Sequence, residues 1–166
     1  MKAFYIEFKW ALIYSAALLL WMMLEKFAGW HDVLIEKQPL YTNLFAIVAI
    51  VIYVLFMKDK RQNFFRGNMN WAQGFLSGTI LTVAIALLSP IVQIITYHYI
   101  TPDYFHNAIN FRVSHNYMTQ EQAESYFNLK SYMIQSGLGG LPLGVITAAL
   151  VALLMKTKSN TSANAI

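Results

Sequence analysis

The residues best suited to chemistry in this sequence are its four histidines, His31, His98, His106 and His115. His98 and His106 flank Thr101-Pro102-Asp103, so a turn at Pro102 would bring both imidazoles toward the Asp103 carboxylate. A zinc-type centre needs three or four ligands, each oriented by a further partner. The spacing here matches no such pattern, and these are read as interfacial histidines with no metal. The chain has no cysteine, which removes disulfides, thiolate metal sites and a cysteine nucleophile. Glu121 and Glu124 read as a solvated helix face. No Ser/His/Asp arrangement, phosphate loop or paired-carboxylate site is visible. The sequence therefore predicts no catalytic residue, no cofactor and no enzyme.

A pump or ion-coupled carrier places ionisable groups in mid-membrane, and the long apolar runs of this chain carry none. Their notable polar residues are Ser15, Asn43, Thr82, Ser89, Gln93 and Thr147. Gln93 follows Pro90, where a kink is expected, and is assigned to hydrogen-bond the backbone that the kink frees.

The elements that carry these groups follow from composition and from gaps between charges. The chain is 57% hydrophobic and 12% charged, against about 45–50% and about 25% for a soluble domain. Uncharged runs extend over Trp10–Leu24, Gln38–Met57, Gly67–Pro102 and Ser131–Met155. A helix needs roughly 20 residues to cross the hydrocarbon, and unpaired backbone cannot survive there in any other single-segment form. The first run is short, but Lys9 and Lys26 can snorkel from its ends. It lacks the small-x-small pattern of a signal cleavage site, because Glu25-Lys26-Phe27 follows it. The third run would reach about 54 Å as one helix, so its ends belong to the interfaces. Asn70 with Gln73 reads as its capping box.

The expected fold is an all-α polytopic membrane protein, one domain over residues 1–166. Its four transmembrane helices form two hairpins near residues 6–28, 39–58, 71–99 and 132–156. A short amphipathic helical segment over 101–131 lies between spans three and four, and a disordered tail follows over 157–166. Lys2, Lys9, Lys58, Lys60, Arg61, Arg66, Lys156 and Lys158 fall on one side, and Lys26, Lys37, Arg112 and Lys130 on the other. The basic excess puts both termini in the cytoplasm. Trp10 and Trp71 then sit at the inner interface, and Trp30, Tyr41, Tyr97 and Tyr99 at the outer one. Lys58, Lys60, Arg61 and Arg66 are expected to meet anionic lipid, and this placement of charge argues against nucleic acid.

Helices associate in lipid through close packing, which small residues permit. Gly74, Gly78, Thr82, Ala86 and Pro90 recur at every fourth position in span three, and Ser136, Gly140, Gly144, Ala148 and Ala152 do so in span four. These stripes pack the two spans together or present a face to a second copy or another protein. In the outer segment, Thr119 and Gln122 read as a second capping box. Two short helices are expected there, separated near Ser114–Thr119, with Ala123, Tyr126, Phe127 and Lys130 sharing a face. The segment lies on the membrane, covers the bundle or binds a partner.

The run LFMKDKRQN at Leu55–Asn63, WAQGFLSGTILTVAIALLSP at Trp71–Pro90, ITYHYITPDYF, MTQEQAESYF and the closing LPLGVITAALVALLMKTK occur in that order. Together they resemble the four-span bacterial inner-membrane family catalogued as domain of unknown function 4199, common in Bacteroidetes. The resemblance covers nearly the whole chain and is strongest from Leu55 onward. It implies a Gram-negative inner membrane and carries over no activity and no catalytic residue. The functional expectation is a non-enzymatic membrane component whose partners are membrane lipid, another protein or a second copy. The competing class is a small oligomeric transporter or channel with Gln93, Thr82 and Ser89 along its route. An intramembrane enzyme would need the outer histidines and Asp103 to converge.

Overall fold

Backbone groups in a long apolar run must find their hydrogen bonds within the run, and the chain does this with helices. The computed structural model describes residues 4–157 and contains no strand among them. Four helical stretches are long and apolar enough to cross a membrane: Tyr5–Phe27, Ile35–Asn63, Trp71–Ile100 and Leu129–Met155. The tail expected over 157–166 lies, beyond Thr157, outside the described residues. Thr157 itself is pinned: its N–H donates to the Met69 carbonyl at 2.8 Å and its hydroxyl accepts from the Met69 N–H at 2.9 Å.

The helices are α1 (Tyr5–Phe27), α2 (Gln38–Thr42), α3 (Phe45–Asn63), α4 (Trp71–Ile95), α5 (Tyr104–Ser114), α6 (Gln120–Tyr126), α7 (Leu129–Ile134) and α8 (Gly140–Met155). A 3-10 turn, Ile35–Lys37, leads into α2. Asn70 and Gln73 form the capping box of α4, and Thr119 and Gln122 that of α6, as their spacing predicts. Arg66 and Gly67 close the loop after α3 with positive φ values of 51° and 90°. The end of the bundle with this loop, Phe4 and Thr157 is the basic end. The opposite end, with residues 28–44 and 101–128, is the broad end.

α4 is the centre of the bundle and packs most extensively on α8, then on α1. Missing side chains allow the approach. A Cβ on Gly78 would lie 2.6 Å from the Ala148 Cβ, and one on Gly74 3.0 Å from the Ala152 Cβ. A Cβ on Gly144 would strike Thr82, whose hydroxyl is tied to the Tyr53 hydroxyl at 2.7 Å and to the Gly78 carbonyl at 2.9 Å. Phe56, Met57, Met69 and Leu81 are fully buried around this contact, whereas Leu20, Leu87, Leu143 and Leu154 point outward.

Two parts of the expected packing need correction. Gly140 has no neighbour within 4 Å of the Cβ position, so it stands outside the stripe. The count by fours assumes an uninterrupted α-helix. A π turn over Gln135–Gly139 takes up an extra residue just there, and Gly137 comes to α4 instead, beside Ser89 and the Ala86 carbonyl. The second correction concerns Pro90, which has no N–H for that Ala86 carbonyl. Ser89, not Gln93, satisfies it, with its hydroxyl at 2.9 Å.

In the outer segment, α6 stops at Tyr126, and the Asn128 side chain caps α7 by accepting from the Ser131 N–H. Lys130 therefore belongs to the fourth span rather than to the face of Ala123 and Phe127, which are both buried. The segment covers the broad end: Asn107 donates to the His31 carbonyl at 3.1 Å and to Asp32 Oδ1 at 2.9 Å.

Candidate functional site

At the basic end, charge that the linear pattern assigns to the surface turns inward. Lys60 of α3 is buried and meets Glu7 of α1 at 2.7 Å, with its ammonium 3.8 Å from the centre of the Phe64 ring. This corrects its expected contact with lipid. Lys60 stands on the face of α3 that holds Phe56 and Met57, four and three residues earlier. Arg61 is half-buried and donates to the Met155 carbonyl at 3.1 Å, while Lys58 and Arg66 stay exposed. Lys9 pairs with Asp59, which also accepts from Trp10 Nε1 at 2.7 Å. The Lys60–Glu7 and Lys9–Asp59 pairs clamp α1 to α3.

The broad end is different. Glu25, in the last turn of α1, is fully buried. A buried carboxylate is costly unless donors surround it. Here Trp21 Nε1 and the Thr42 hydroxyl each donate to Oε1 at 2.5 Å, and His31 Nε2 lies 3.0 Å from Oε2. Thr42 has one hydroxyl proton and gives it to Glu25, so it must accept from Gln38 Nε2 at 2.9 Å. That amide orientation leaves Gln38 Oε1 to accept from the Tyr104 hydroxyl at 3.3 Å. The Tyr104 oxygen then accepts from the Tyr132 hydroxyl at 3.2 Å. The chain Tyr132 to Tyr104 to Gln38 to Thr42 to Glu25 therefore points every donor toward the Glu25 carboxyl group. His31 Nδ1 is left without a partner. Burial pushes the Tyr104 phenol up, with nearby Tyr97 adding to it, so it stays a donor.

Above this chain lies a cavity of about 490 Å³, within the usual range for small-ligand pockets. Residues 35–43 form one wall, α5 a second, and residues 126–135 the third. Tyr97, which the sequence assigns to the interface, turns inward to pack on Phe105 at 4.4 Å and on Tyr104 and Tyr132 at 5.3 Å. Tyr104, Ala108 and Phe127 are buried beside the cavity. Among the described residues, Arg112 is the only charged side chain lining it. Its guanidinium sits 5.8 Å from the centre of Phe111 and 5.7 Å from that of Tyr117. Among the described residues no carboxylate pairs with it.

The histidines do not converge. His31 belongs to Glu25, His106 Nε2 meets Asn110 Nδ2 at 2.8 Å, His115 Nδ1 lies 2.9 Å from the Phe111 carbonyl, and His98 is exposed. No group of three metal-capable side chains occurs among the described residues. The Thr82 and Ser89 hydroxyls are both used inside the bundle. Sequence reasoning missed Glu25, His31 and Thr42 as one unit. The available signal was Trp21 and Glu25 at a four-residue spacing, with Gln38 and Thr42 repeating it.

A family model described as a protein of unknown function (DUF4199) matches residues 9–157. Searches of curated proteins and of solved structures find no match.

Proposed function

The chain belongs to the family of unknown function DUF4199, and on that premise we propose that it is a non-enzymatic integral membrane protein that binds an amphipathic ligand, a lipid foremost, at its broad end. The observation that carries the reading is the aromatic-walled cavity of about 490 Å³ beneath α5 and α6. The outward-facing leucines of the spans suit hydrocarbon. The basic excess supports an orientation with the termini and the basic end on the cytoplasmic side of a bacterial inner membrane, with the cavity opening at headgroup depth on the far side. Lys58 and Arg66 remain available to anionic lipid at the cytoplasmic surface.

A photoactivatable phospholipid, with a diazirine near the start of its acyl chain, tests the reading in membranes that contain the full chain. The expected result is labelled peptides from residues 35–43, 104–112 and 126–135 that unlabelled lipid competes away. Labelling confined to the outer faces of the spans would overturn it.

A second reading, an oligomeric transporter, draws on the π turns at Thr96–Ile100 and Gln135–Gly139 in spans three and four, since such turns gather at functional sites. It would replace the first if the protein carried a solute across sealed vesicles and lost that transport on Gln93→Leu.

A further inference from the structure

We propose that the cavity recognises an anionic group, a phosphate ester or carboxylate carried on an apolar body, with Arg112 as its counter-charge. This rests on the ligand-binding reading above and names the ligand class. The Arg112 guanidinium is half-buried and, among the described residues, the sole charged group on the cavity wall. A half-buried cation with no carboxylate beside it gains from a bound anion, which accepts the paired N–H bonds a guanidinium offers. The Phe111 and Tyr117 rings lie beside it, 5.8 Å and 5.7 Å from the guanidinium carbon.

The buried carboxylate nearby does not reverse this preference. Glu25 is fully buried, its oxygens are occupied by Trp21, Thr42 and His31, and it lies behind Thr42 rather than on the wall. Two amides on the wall add donors. Asn43 uses one N–H on the Pro39 carbonyl and Gln135 one on the Ser131 hydroxyl, which leaves each a second. Phe127, Ala108 and Ile35 supply the apolar surface. The same chemistry fits an anionic lipid headgroup or a free anion, and the test separates the two.

The full chain in uncharged detergent is titrated calorimetrically with dihexanoyl phosphatidylglycerol, dihexanoyl phosphatidylcholine and inorganic phosphate. Phosphatidylglycerol should bind saturably and phosphatidylcholine about tenfold more weakly or worse, the scale of one charged hydrogen-bonded pair. Arg112→Gln should bring phosphatidylglycerol down to the phosphatidylcholine level, and Arg112→Lys should fall between. Phosphate binding as tightly as phosphatidylglycerol, and lost in Arg112→Gln, would support the anion site with a soluble anion as its source. Asn43→Asp, at an exposed position, covers the case in which Arg112→Gln fails to fold. It should weaken phosphatidylglycerol selectively. Equal binding of both lipids, unchanged in Arg112→Gln or Asn43→Asp, would overturn the anion preference and leave the cavity reading standing. Failure of every probe to bind would remove both.

Discussion

One added methyl group should have opposite effects at two glycines of the same helix. In Gly144→Ala the new Cβ meets the Thr82 side chain and comes within 3.1 Å of the Tyr53 hydroxyl. Thr82 cannot turn aside cheaply, because its hydroxyl is bonded to Tyr53 at 2.7 Å and to the Gly78 carbonyl at 2.9 Å. Overpacking of this kind costs about 1–3 kcal/mol, and losing the Tyr53 bond adds about 1 kcal/mol. The better helix propensity of alanine returns about 1 kcal/mol. The net is a loss of about 1–3 kcal/mol. Gly140 has ordinary helical φ of −72° and nothing within 4 Å of its Cβ position. Gly140→Ala should therefore keep the propensity gain of up to about 1 kcal/mol. Unfolding in neutral-detergent micelles by added dodecyl sulfate, followed by circular dichroism, reads both. Thr82→Ser, which removes the methyl in the way, should recover part of the loss in Gly144→Ala. The reasoning fails if Gly144→Ala is as stable as the parent, or if the two variants shift alike.

Three further outcomes follow from the buried polar groups and the charge pattern. Lys60→Met strands the Glu7 carboxylate and should cost about 3–5 kcal/mol in the same unfolding assay, while the double replacement Glu7→Leu, Lys60→Met should recover most of it; equal loss in both would show that the pair is not the cause. Glu25→Leu removes the acceptor of Trp21 Nε1 and of the Thr42 hydroxyl and should cost about 1–3 kcal/mol; an unchanged unfolding midpoint would contradict the donor chain. Alkaline phosphatase fused after Asp32 or Glu121 should be active in a bacterial host and inactive after Arg61 or Lys156, and activity at Arg61 would invert the topology.

Much of the architecture is legible because it rests on local rules. Charge-free stretches long enough for a bilayer mark three of the spans, lysines at the ends of a shorter run mark the first, and Asn70 with Gln73 and Thr119 with Gln122 mark helix starts by spacing alone. What the sequence hides is which way a side chain faces once helices cross. Lys60 looks like its neighbours Lys58 and Arg61 in a linear charge count, yet its face of α3 turns to Glu7 of α1. Gly140 obeys the count by fours and still misses α4, because a π turn leaves no local mark beyond the crowded glycines of Gly137–Gly140. Glu25 reads as the charge that ends an apolar run. Its donors His31 and Thr42 come from a loop and a short helix whose return to α1 is tertiary, and Arg112 reaches the same end from a segment more than 60 residues on.

Native mass spectrometry of the full chain, extracted with the least detergent that keeps it folded, shows whether a ligand is held in the cavity at the broad end. The parent should retain one bound amphiphile per chain, and the double replacement Asn43→Trp, Gln135→Trp, which fills the cavity from two exposed positions on its walls, should release it. A parent that carries no ligand, or a filled variant that carries the same one, would contradict the claim.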